Sequence, residues 1–120
     1  MAKKILVIDD DQLNVKLVKA RLESAQYEVI TAFDGDEGLV KVQKDKPDLI
    51  ILDVEMPKMN GYTFLLELKK LGDLSKTPVV VLTAHGENEP IFTLKGARGY
   101  LIKPINFDIL FGKLTSLLGS

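Results

Sequence analysis

The residues in this sequence most able to do chemistry are its aspartates and one lysine. Asp9-Asp10-Asp11 stand together directly after the apolar run Ile5-Leu6-Val7-Ile8, and Asp53 closes a second such run, Leu49-Ile50-Ile51-Leu52. Thr83 follows a third, Val79-Val80-Val81-Leu82, and Lys103-Pro104 follows Gly99 to Ile102. One aspartate before a helix is an ordinary cap, and Asp11 is the best placed for that role. Three in a row exceed what a cap requires. Gathering several carboxylates is costly unless a cation neutralises them, and hard oxygen ligands of this kind suit Mg²⁺, which keeps several of its waters. Asp53 could be read as a turn-former, but Pro57 and Gly61 already supply the turn chemistry behind it. Lys103 alone would be taken for a solvated surface lysine, and its place directly before a proline at the end of a run sets it apart.

These residues need elements that bring them together. The three apolar runs do not alternate, which suits strands buried on both faces of a parallel sheet. Tyr27 to Ala32 and Gly99 to Ile102 are shorter and more mixed, and read as additional or edge strands. Helical spacing lies between them: Val15, Val18, Leu22 and Ala25; Phe64, Leu68 and Leu71; and, most clearly, Phe107, Leu110, Phe111, Leu114, Leu117 and Leu118. Leu39 and Val42 mark a weaker helix from about Asp36 to Lys44, closed before Pro47. From Ala84 to Arg98 two glycines and a proline leave at most Glu87 to Lys95 for a short fourth helix, with Pro90 in its first turn. Five alternations of strand and helix predict right-handed crossovers and helices on both faces of one parallel sheet. In such a sheet the ligand site lies outside the carboxyl ends of the strands, where Asp9 to Asp11, Asp53, Thr83 and Lys103 fall.

The chain has 120 residues, with 16 Lys+Arg against 17 Asp+Glu, a formal charge of −1, on a composition 46% hydrophobic and 28% charged. That length predicts a single domain over residues 1–120. The near-neutral charge without a long basic block argues against nucleic acid or an anionic membrane as the main partner. No cysteine is present, which excludes disulfides, thiolate metal sites and a cysteine nucleophile. Neither a signal-peptide core nor an apolar membrane-spanning run is visible, so a cytoplasmic location is expected.

In combination the motifs resemble a response-regulator receiver domain of two-component signalling. Asp9-Asp10, then Asp53 with Met56-Pro57 and Gly61, then Thr83-Ala84, then Gly96-Ala97, Tyr100-Leu101 and Lys103-Pro104 follow that pattern over essentially the whole chain. The resemblance implies a flavodoxin-like doubly wound α/β fold with a five-stranded parallel sheet in the order 2-1-3-4-5 and five helices. It implies Asp53 as phosphoacceptor, with Mg²⁺ held by Asp10, Asp53 and the backbone carbonyl of Glu55, and by Asp9 largely through water. Lys103 and the Thr83 hydroxyl would meet the phosphoryl oxygens, and Thr83 and Tyr100 would form the switch, although Tyr100 reads equally as an ordinary edge-strand aromatic. The family usually places a cis bond before the residue at Pro104. Glu55 and His85 occupy the variable positions that influence the lifetime of the phosphoryl group, and the Gly-flanked loop favours a place at the pocket rim for His85. The implied partners are a histidine kinase or histidine phosphotransfer protein as donor, and a downstream effector protein or domain. The output face would be the fourth helix, fifth strand and fifth helix.

One departure stands out. Between Thr83 and Lys103 lie 19 residues, short for the family, with the shortening on the fourth helix and hence on the output face. A pseudo-receiver acting only as an interaction domain therefore stays open, although its usual mark, loss of an acid or of the lysine, is missing. Asp9-Asp10-Asp11 can also be parsed as the Asp-x-Asp of haloacid-dehalogenase-like phosphatases, but Asp53 has no task in that scheme and no cap segment is evident. A flavodoxin-like FMN module would need donors after the first strand, where three aspartates would repel a phosphate. With Gly119-Ser120 close behind the last helix, the chain reads either as a stand-alone regulator or as a receiver cut from a longer protein.

Overall fold

A computed structural model of the protein describes residues 2–54, 61–84 and 96–119. Five strands, β1 (Lys4–Ile8), β2 (Glu28–Ala32), β3 (Leu49–Asp53), β4 (Val79–Thr83) and β5 (Gly99–Ile102), pair in parallel in the order β2-β1-β3-β4-β5. The described α-helices are α1 (Gln12–Ser24), α2 (Gly35–Asp45), α3 (Gly61–Lys69) and a C-terminal helix (Phe107–Leu118). This is the predicted doubly wound sheet. The short fourth helix expected at Glu87 to Lys95 lies outside the described residues.

The non-alternating runs are explained by cover on both faces. Leu6, Ile8, Ile50, Leu52, Val79 and Val81 pack with Val42, Phe64, Leu65 and Leu68 of α2 and α3. Their neighbours Ile5, Val7, Leu49, Ile51, Val80 and Leu82 pack on the other side with Val18 and Leu22 of α1 and Leu110 and Leu114 of the C-terminal helix. Each central strand therefore contributes to two cores at once, as its pleat dictates. One approach is especially close: a Cβ at Gly38 would lie 2.5 Å from Ile8 Cδ1 and 3.3 Å from Phe64 Cε2, so the absence of a side chain lets α2 sit against β1 just before Asp9.

Two helical steps run past the real helix ends. Ala25 is the exposed C-cap of α1, where the chain turns through Gln26 at φ 74°. Leu71 follows α3, its N–H reaching Leu68 O and its side chain still packing on the core, before a 3₁₀ turn (Gly72–Lys76) that the spacing does not reveal. At Leu71 apolar contact outlasts helical geometry, whereas the apolar step at Ala25 ends in solvent.

Ile51→Ala, at a fully buried position, is expected to destabilise the fold by about 2–5 kcal/mol. Leu13→Ala, at a position 79% exposed, is expected to stay within about 0.5 kcal/mol. Urea unfolding of the two variants checks the contrast.

Candidate phosphoacceptor site

Register sets the geometry of the site. Ile8 pairs with Leu52, and Asp53 with Leu82, so that β1 and β3 end level with each other and the residues beyond them meet at one edge. Alternation places Asp9 and Asp53 in phase with Val7 and Ile51, on the side of the sheet covered by α1 and the C-terminal helix. Asp9 and Asp53 are 1% and 2% exposed, whereas Asp10 is exposed. One carboxylate oxygen from each of the three can be chosen so that all lie within 4.8 Å of one another. Like charges this close repel strongly outside bulk water.

Two devices offset that repulsion. Lys103 Nζ, from the loop after β5, lies 3.1 Å from Asp53 Oδ1, with its side chain 27% exposed. Its position is anchored by the backbone, since Lys103 N donates to Thr83 O at 2.8 Å. The Lys103–Pro104 peptide bond is cis. Asp9 is held by neutral donors instead. Asp11 N donates to Asp9 Oδ1 at 3.0 Å, and Asn14 Nδ2 donates to Asp9 Oδ2 at 2.5 Å. Asp11 caps α1 as expected, accepting from Leu13 N and Asn14 N at 3.0 and 3.3 Å. Three oxygen donors from carboxylates, one of them exposed, form the ligand chemistry of a hard divalent cation with part of its shell left to water.

The remaining sequence-derived residues fall into place unequally. Thr83 is fully buried at the end of β4, in phase with Val81 and so on the α2–α3 side of the sheet. Tyr100, paired with Val81, is half-buried and packs on that same side, apart from the carboxylate cluster. Ala84 and Pro104 are exposed beside the site. Glu55 and His85 lie outside the described residues. Asn14 was not among the residues that the motifs single out, although an amide in the first helical turn after three aspartates is a visible polar signal. A cleft of about 270 Å³ opens next to the cluster, lined among others by Asp11, Asn14, Leu17, Lys103 and Phe107. Phe107 in turn meets Arg21, whose Cζ lies 4.3 Å from the centroid of its ring.

A doubly wound sheet that ends in clustered carboxylates, with a threonine and a lysine from the ends of β4 and β5, defines a receiver-type fold with an acidic, lysine-bearing edge. The sequence profile of the response regulator receiver domain matches residues 5–115, and the chain belongs to that family of two-component signalling proteins. Among curated relatives, the response regulator PleD of Caulobacter vibrioides is 43% identical over 119 residues, which cover 98% of this chain and 26% of PleD. The chain thus spans about a quarter of that relative. Among solved structures, the chemotaxis protein CheY4 of Vibrio cholerae aligns with a TM-score of 0.91 at 36% identity, covering 98% of this chain and 99% of CheY4. The receiver domain of the sensor histidine kinase PA1611 of Pseudomonas aeruginosa aligns with a TM-score of 0.91 at 25% identity over the whole of both chains, and its structure has a magnesium ion coordinated in the active-site cleft. Family membership does not favour the phosphatase and FMN-module readings. No described helix is long and apolar enough to cross a membrane.

Lys103→Met is expected to lower the urea midpoint in chelator, corresponding to a loss of unfolding free energy on the order of 2–3 kcal/mol, because Asp53 then stays buried without its countercharge. Added MgCl₂ should restore more stability to this variant than to the wild type, since the cation replaces the missing positive charge. An unchanged midpoint in chelator would show that the pair carries no stability.

Proposed function

We propose that residues 1–120 act as one receiver unit that accepts a phosphoryl group on Asp53 from the phosphohistidine of a histidine kinase or histidine phosphotransfer protein. The observation that carries this reading is the juxtaposition of Asp53 with Lys103 at 3.1 Å inside a cluster of three carboxylates. An Asp53 oxygen attacks the phosphorus, an O–P bond forms, and the N–P bond of the donor breaks. The electron pair returns to the imidazole nitrogen. Charge accumulates on the phosphoryl oxygens during transfer, and catalysis rests on alignment and neutralisation. Lys103 and the Thr83 hydroxyl supply donors to those oxygens. Asp9, Asp10, Asp53 and the Glu55 carbonyl would hold Mg²⁺, which supplies the positive charge that lets two anions approach. Asp9 contributes largely through water, and Glu55 and His85 bear on how long the phosphoryl group survives. The chain serves as a signalling phosphoacceptor in the cytoplasm, assisting only its own phosphorylation and dephosphorylation.

Output follows from the same site. Thr83 moves toward the phosphoryl group, and Tyr100 responds on the same side of the sheet. This shift between two packings presents the face built from the expected fourth helix, β5 and the C-terminal helix to an effector protein or domain. Retention of every acid and of Lys103 disfavours a phosphorylation-independent interaction module.

Incubation with acetyl phosphate is expected to add one phosphoryl group, read by intact mass, only with Mg²⁺ and only when Asp53 is present. Asp53→Asn should stay unmodified. A folded wild type that gains nothing under any condition would leave the interaction module as the better reading.

A further inference from the structure

Resting on the receiver reading, we infer that Asn14 is a positioning residue that fixes the Asp9 carboxylate for the cation. Asp9 is buried, and its two oxygens meet donors from two different places: Asp11 N at Oδ1 and Asn14 Nδ2 at Oδ2. One donor alone would leave the carboxylate free to rotate about that contact. Two donors, one on each oxygen, fix its plane. Because an ionised carboxylate only accepts, the Asn14 amide must present its NH₂ to it. Both donors are themselves anchored, since the Asp11 side chain caps the backbone N–H groups of Leu13 and Asn14. Asp9 is thus strapped to the first turn of α1, and each oxygen keeps lone-pair capacity for an ion or its water.

The amide is also the donor type that this place calls for. A lysine or arginine at position 14 would neutralise Asp9 and compete with a cation. An aspartate would add a fourth negative charge to a cluster whose oxygens already come within 4.8 Å. Asn14 orients without changing the charge, which is what outer partners of metal-ligating carboxylates do. It also lines the cleft beside Lys103, so a group entering that cleft touches the residue that aims Asp9.

The test is Mg²⁺ affinity, measured by amide shifts in ¹H–¹⁵N spectra during MgCl₂ titration. Proteins compared are the wild type, Asn14→Leu, Asn14→Ala, Asp9→Asn and the double variant Asp9→Asn/Asn14→Leu. The helix cap uses only the backbone of residue 14, so α1 should persist in each, and the spectra report folding directly. Asn14→Leu and Asn14→Ala are expected to weaken Mg²⁺ binding about 10-fold. In the Asp9→Asn background Asn14→Leu should change the dissociation constant less than about 2-fold, because the group it orients is gone. An unchanged constant in the single variants overturns the inference, and so does a full additive loss in the double variant. A wild type that shows no saturable Mg²⁺ binding overturns instead the receiver reading on which the inference rests.

Discussion

Mutual repulsion among Asp9, Asp10 and Asp53 is the constraint on which the rest of the structure depends. Two of these carboxylates are removed from water, and an oxygen of each reaches within 4.8 Å of the others. Left to themselves they would separate. They are kept together because β1, β3 and β4 are buried on both faces, and a slip in register of one residue would turn every apolar side chain of a strand from one core to the other. The hydrophobic energy of the two cores thus holds an arrangement of charges that is unfavourable by itself. A divalent cation among these oxygens would offset that repulsion.

The sheet also divides labour between its faces. Asp9 and Asp53 fall on the side of α1 and the C-terminal helix, together with the cleft beside Lys103. Thr83 and Tyr100 fall on the side of α2 and α3. Lys103 connects the two, paired with Asp53 through its side chain and with Thr83 through its backbone N–H. Through Lys103, Asp53 is therefore linked to the carboxyl end of the β4–β5 pairing at Thr83. Packed cores respond to such a change by moving between discrete arrangements.

Much of this was legible in the residues. Runs without alternation announced central parallel strands, and strand ends announced the site, because in this architecture the ligand edge is a topological consequence. Helix ends were less legible. Leu71 continues an apolar step beyond its helix because packing against a core does not require helical backbone, whereas Ala25 is an apolar residue at an exposed cap. Asn14 was hidden for a different reason: its partner is Asp9, five residues earlier across a strand-to-helix turn, and only the folded turn brings amide and carboxylate together. The Arg21–Phe107 contact, between residues far apart in sequence, likewise exists only in the fold. Family resemblance supplied roles for individual residues that spacing alone does not assign.

The central claim is that the buried strand-end carboxylate Asp53, and not its neighbours, takes the phosphoryl group. An acyl phosphate is reduced by borohydride to an alcohol, so that treatment after acetyl phosphate and Mg²⁺, followed by peptide mass spectrometry, marks the carboxylate that reacted. Homoserine at position 53, with Asp9 and Asp10 unchanged, is the result expected. Reduction at position 9 or 10, or at none of the three in a protein shown to carry phosphate, would contradict the account.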